Sequence, residues 1–232
     1  SEIVTSIVVN AQNELLLYGA TGSSDLPVSD NAYDKTFNGG SQVTFTGNGT
    51  WFKFGTDIYV AKLSPDGSTL LSSTYIGGAA NDGINVNNSA ELAVPTISAS
   101  GWQLIPETDN IIQNGLATFQ YVGVDLGGIR YGFAESKYDS LMYNYGDQYR
   151  GEINVDHYGN VCIATSTRSN NFPFKDGIDN SLGGKQDAAV FKMNADLSQL
   201  LWSTYLGGSD NDAGYALAID DSSNVIVTGG SR

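Results

Sequence analysis

The sequence predicts an all-β chain assembled from tandem four-stranded units. Two segments repeat each other closely: 56–78 reads TDIYVAKLSPDGSTLLSSTYIGG and 186–208 reads QDAAVFKMNADLSQLLWSTYLGG. A second pattern, an apolar run, a polar turn and another apolar run, occurs four times. Composition agrees: 28 Gly and 13 Tyr with only 5 Pro suit short strands joined by tight turns, and long helical periodicity is missing.

In chain order, the apolar–turn–apolar pattern covers 7–21 (IVVNAQNELLLYGAT), 84–98 (INVNNSAELAVPTIS), 153–167 (INVDHYGNVCIATST) and 217–231 (LAIDDSSNVIVTGGS). Apolar residues flanking an Asn/Asp/Gly/Ser cluster mark two antiparallel strands and their turn. Three of the four lead into a proline loop: SDLPVSDNAY, WQLIPETDNI and NNFPFKDGID. Each loop leads to a second hairpin, at 56–78, at 186–208, and in a shortened middle copy at 131–146, where Lys137, Leu141, Met142, Tyr145 and Gly146 hold matching places. For the last full unit this predicts strands at 153–156, 160–166, 187–194 and 200–206. The successive first hairpins start 77, 69 and 64 residues apart, giving repeats over about 6–82, 83–151 and 152–214 and a partial one over 215–232. Surplus length falls in loops that include 39–55 and 105–128. Repeat proteins gather such insertions on one face, where they commonly bind.

Twisted four-stranded antiparallel sheets repeated around an axis make a β-propeller, so the sequence reads as about three blades plus the first hairpin of a fourth. Closing a ring takes at least about four blades. The chain is therefore expected to be an arc or fragment of a larger propeller, part of a longer parent chain; the alternative is a ring closed by the C-terminal hairpin joining the first sheet. The string DAxVxKxxxxLxxLxWSTYLGGSxxDxxxxLxxDxxxNVxVTGxS resembles the SBBP-type β-propeller repeat family and is similar to repeats in gliding-motility-associated surface proteins of Bacteroidota. The copy at 186–231 matches best, while in the middle copy Gly132 stands in place of the Asp. The resemblance implies a bacterial protein, secreted or at the cell surface, related to adhesion or gliding and mostly without a known catalytic role.

With 11 Lys and Arg against 25 Asp and Glu, the net charge of −14 repels phosphate backbones and anionic headgroups, so nucleic acid is not an expected partner. No run approaches the roughly 18 apolar residues of a spanning helix, so membrane insertion is not expected either. A single cysteine, Cys162, excludes an internal disulfide, and with one histidine no Cys/His metal site can be counted.

Four aromatic residues in or beside the long loops, Trp51, Phe52, Phe54 and Trp102, are candidate contacts for a protein or glycan ligand, with core plugs beneath the loops as the other reading. Asp210 and Asp212 flank Asn211 in a glycine loop, as Asn81 and Asp82 do in AANDG. Such a loop can hold Ca²⁺ or simply cap backbone amides, and the full DxDxDG pattern is missing. No other cofactor is expected. Asp57 and Asp187 recur five residues before Lys62 and Lys192. They would be hydrogen-bonding residues of the sheet, ion-pair partners of those lysines, or converging carboxylates of a propeller hydrolase or lyase. Lys62, Lys137 and Lys192 are otherwise solvated strand-face charges. His157 lies in a turn without a triad signature, and Cys162 in an apolar strand reads as a small buried hydrophobe. Tyr75, Tyr145 and Tyr205 recur with the Gly-Gly motif as packing residues. Together these features lead us to expect a non-catalytic scaffold or binding module, with the propeller enzyme and a calcium-stabilised adhesin segment as alternatives.

Overall fold

A computed structural model describes residues 1–45, 50–85, 97–98, 101–102, 117–126, 129–138 and 147–231. It is all-β and antiparallel, with no α-helix among the described residues. β1 (Glu2–Val9), β2 (Leu15–Thr21), β5 (Asp57–Leu63) and β6 (Leu70–Ile76) form the first sheet, and β3 (Val43–Phe45) and β4 (Thr50–Phe52) pair as a short hairpin before β5. β7 (Ile97–Ser98) pairs with β8 (Gly101–Trp102), and β9 (Ala117–Leu126) with β10 (Ile129–Tyr138). β11 (Glu152–Val155), β12 (Val161–Thr167), β13 (Asp187–Met193) and β14 (Leu200–Leu206) form the second sheet, and β15 (Asp212–Ile219) with β16 (Val225–Ser231) a terminal hairpin. The strands of the second sheet fall within a residue of those expected from the alternation. The loop expected to include 105–128 instead contains a strand, β9, whose partner β10 holds the start of the shortened middle copy.

The two sheets lie face to face around one core. Leu16, Tyr18, Ile58, Val60 and Ile76 of the first pack with Ile153, Val161, Ile163, Phe191 and Met193 of the second. Removing this apolar area from water is the main force joining them. On its other face the second sheet packs Cys162, Ala164 and Val190 against Leu217 of the terminal hairpin. Leu197 shows how strongly the core demands filling: it holds a left-handed backbone (φ 59°) where the equivalent turn of the first sheet has Gly67 (φ 70°), yet its side chain is buried between the sheets. Apolar burial there outweighs a backbone cost of about 1 kcal/mol.

Each Ser-Thr-Tyr of the repeat binds the proline loop along the free edge of the last strand. Ser73 Oγ donates to Pro27 O (2.8 Å), Thr74 Oγ1 accepts from Asp34 N (2.9 Å), and Tyr75 OH donates to Ser23 O and accepts from Leu26 N, both 3.0 Å. Ser203, Thr204 and Tyr205 do the same for Pro173, Asp179, Ser169 and Phe172. Backbone bonds from Ser29 N to Ser73 O (3.3 Å) and from Tyr75 N to Asp34 O (3.0 Å) then occupy the edge. The loops thereby satisfy strand edges that would otherwise be open to further pairing. Tyr75 and Tyr205 are buried, and the structure adds this clamp to the packing role expected of them; Tyr145 lies outside the described residues.

The sequence set a separate repeat over 83–151 between the first and third units. Most of that repeat lies outside the described residues; among the described residues, the first and third units touch directly. Asp82 bridges Thr167 at the end of β12, and Gly83 N donates to Ser166 O (2.9 Å), so these two residues meet β12 beyond the end of β11. β15 shows the uninterrupted form: its Asp212 pairs with Ser231 and its ladder slips between Gly214 and Ala216. In the second sheet the same alignment sets 82–83 and β11 on either side of that slip. Asn85 N donates to Gln148 O (2.9 Å), bringing the departing and returning chain together.

Candidate functional site

Two kinds of site stand out, buried carboxylate pairs and an exposed aromatic hairpin. Asp57 begins β5 and is fully buried; its carboxylate accepts from Asn38 N (2.6 Å) and Gly39 N (3.0 Å) of the loop ahead of it. Asp187 repeats this with Gly183 N (2.9 Å) and Gly184 N (3.3 Å). Asp82 accepts from Gly78 N (2.7 Å), from Ser169 Oγ (2.8 Å) and from the Thr167 hydroxyl, and so fastens the exit from the first sheet to the second. Asp212 accepts from Gly208 N at 2.6 Å. Glu2 takes the matching place in the first sheet, receiving the Ser23 hydroxyl. Gly77 and Gly207 sit between the two carboxylates of each pair, where a Cβ would come within 2.9 Å of Asp57 and Asp82, or 2.8 Å of Asp187 and Asp212. That close approach explains the first glycine of the Gly-Gly motif.

Burial, then the Asp82 charge, push the Asp57 pKa up to about 7 against the amide bonds that pull it down. Burial lifts Asp82 to about 6, and Asp187 is raised for the same reason. These carboxylates serve as acceptors inside the sheet junctions, and neither Asp57 nor Asp187 pairs with the lysine five residues on. Lys192 Nζ instead meets Asp156 Oδ2 at 2.7 Å in a nearly buried pair, and Lys62 Nζ meets Glu14 Oε2 at 3.6 Å. Lys62 and Lys192 are thus tied to the first turn of their sheets. Asp156 is held below its ordinary pKa because the Lys192 and Asn160 hydrogen bonds overcome its burial.

The turns of three successive edge strands form a concavity of about 400 Å³ between Val9, Asn10, Val155, Asp156, Ile219 and Asp220. Each turn has one plan: Asn10, Asp156 and Asp220 accept backbone amides two and four residues on. His157, in the second turn, faces Ser223 Oγ through Nδ1 (3.1 Å). Cys162 is buried, which raises its thiol pKa to about 12.

Of the aromatic candidates, Phe52 is fully buried and anchors the base of β4. Alternation along the strand turns its neighbour outward: Trp51 is 49 % exposed, and Phe54 just beyond is 61 % exposed with Lys53 Nζ 5.0 Å from its ring centre. Phe52 is therefore a plug and cannot stack on a ligand. Trp102 closes β8 opposite Ile97, and its side chain lies outside the described residues. Asp210 is exposed and accepts from the Asn211 amide (3.0 Å), whereas Asp212 is buried and turned to Gly208, so the two carboxylates have different surroundings. Among the described residues, no group of three or more His, Cys, Asp or Glu is arranged to hold a metal ion, and no helix is long and apolar enough to cross a membrane.

Sequence reasoning found Asp57, Asp82, Asp187 and Asp212 but not their partners. The repeated Thr-x-Ser at 21–23 and 167–169 was the available signal: each Ser amide donates to the Thr hydroxyl, Thr167 and Ser169 donate to Asp82, and Ser23 donates to Glu2. No protein-family model matches the chain, and no curated protein matches it.

Proposed function

We propose that the chain is an arc of a β-propeller that acts as a non-catalytic binding or scaffold module, secreted or at a bacterial cell surface, and engages a protein or glycan through its loops. Face-to-face stacking of two four-stranded sheets and a third hairpin, with β1, β11 and β15 as successive inner strands, supports the arc. The observation that carries the binding role is the β3–β4 pair: beside a buried Phe52 stand two exposed rings, Trp51 and Phe54, next to a lysine. Rigid aromatic surface costs little ordering entropy and stacks on sugar faces or apolar side chains. The propeller hydrolase is disfavoured by the amide-bound, buried Asp57 and Asp187, whose carboxylates no substrate can reach. Calcium stabilisation is weighed down by Asp212 facing inward.

A glycan array and a pull-down from surface extracts with the whole chain, set beside Trp51→Ala/Phe54→Ala, test the role. Retained melting with at least tenfold weaker capture by the double variant supports it. Equal capture by both proteins, or no ligand in either screen, overturns it.

A further inference from the structure

The face of the first sheet turned away from the second is built as an interface. Val8, Leu16, Tyr18 and Val60 point into the core between the sheets. Ile7, Val9, Leu15 and Leu17 occupy the opposite face by strand alternation, and Ile7 and Val9 are 57 % and 55 % exposed. Ladder register aligns these four with Ile153, Val155, Val161 and Ile163 of the second sheet, which pack against the first. It also aligns them with Leu217, Ile219, Val225 and Val227 of the terminal hairpin, which pack against the second sheet. The same four positions thus seat each unit on the one before it, and in the first sheet they face outward.

The complementary half is present at the other end. Ala218, Ile226 and Thr228 hold the places of Val8, Leu16 and Tyr18, and all three are exposed, Ile226 at 59 %. We propose that the outward face of the first sheet receives the far face of the terminal hairpin of a second copy of this chain, continuing the observed stacking head to tail. The two patches differ, so the contact is heterologous and grows until a ring closes. A charge of −14 per copy opposes approach, and salt screens it. This interface is separate from the loop-borne binding proposed above, and its test leaves Trp51 and Phe54 untouched.

Light scattering after size exclusion, over chain concentrations of about 1 to 200 µM, reads the mass. The wild type should at least double in mean mass and do so at lower concentration in higher salt. Ile7→Asp/Val9→Asp and Ala218→Asp/Ile226→Asp, all at exposed positions, should each stay monomeric with an unchanged melting midpoint. Mixed, they should form a one-to-one dimer that grows no further, because each keeps one intact patch. A monomeric wild type throughout, undiminished association of either variant, or a mixture that does not pair overturns the inference; so does equal association of a variant mixed with itself.

Discussion

The turn at Asn10–Glu14 and its counterpart at Asp156–Asn160 meet one need with the charges exchanged. In the second sheet the carboxylate is Asp156, Asn160 donates to it (3.0 Å), and Lys192 closes a 2.7 Å pair with little access to water. In the first sheet Asn10 donates to Glu14 (2.7 Å), and Lys62 follows the carboxylate to its new place at a looser 3.6 Å. Lys62 spends part of its donor capacity across the sheet junction on Ala195 O (2.9 Å). What the repeat maintains, then, is a carboxylate under each strand-three lysine, whichever turn residue supplies it. The tighter, drier copy carries the larger penalty when broken, since a buried charge left alone has no water to fall back on.

Replacing each lysine by methionine tests this ranking. Lys192→Met strands Asp156 and should cost about 3 kcal/mol in denaturant unfolding, against about 1 kcal/mol for the more exposed pair in Lys62→Met. Asp156→Asn should also destabilise, and adding Asn160→Glu should recover part of the loss by installing the first sheet's arrangement. Equal costs for the two lysines, or no recovery by the swap, would break the comparison.

The carboxylate pairs differ too: Asp57 and Asp82 reach pKa values of about 7 and 6, while Asp187 is raised without the Thr167 and Ser169 hydroxyls that serve Asp82. A folded pKa above the unfolded value near 4 means that the folded chain holds protons the unfolded chain has lost. The stability this contributes is full below pH 4 and disappears as pH rises through 6 and 7. Thermal melting should therefore rise by about 5 °C between pH 7.5 and pH 5. Asp57→Asn should flatten that slope more than Asp187→Asn; equal slopes in all three proteins would sink the assignment.

The tyrosine clamps give a finer contrast. Tyr205→Phe leaves the Phe172 amide without its acceptor in a buried site, whereas Tyr75→Phe exposes Leu26 N at a partly buried one. Expected losses are about 2 and about 1 kcal/mol respectively, read from chemical denaturation midpoints.

Much of this was legible in the sequence, and the limits have physical causes. Strand alternation placed the second sheet within a residue, because half-buried strands write their faces into the sequence. The Ser-Thr-Tyr repeat was visible, but its partners lie on loops some 25 to 50 residues away, and nothing local couples them. Trp51, Phe52 and Phe54 read alike as loop aromatics until β4 divided them by face. The hairpin expected over 84–98 lies mostly outside the described residues.

The smallest expected effect concerns the chain between the two sheets. β15 runs across its slip, while in the second sheet Asp82 and Gly83 meet β12 ahead of β11, and Asn85 bonds to Gln148. If the sheet junction does not depend on 86–150, removing them leaves it intact. Deleting 86–150 joins Asn85 to Gly151, whose missing side chain gives slack at a point where a Cβ would strike the Tyr18 hydroxyl. The sheet junction, with Asp82, Thr167 and Ser169 intact, should survive at a cost of about 1 kcal/mol or less, partly offset by the entropy of closing a shorter loop. Circular dichroism and melting of the shortened chain check this. Loss of cooperative unfolding would mean that the junction between the two sheets depends on 86–150.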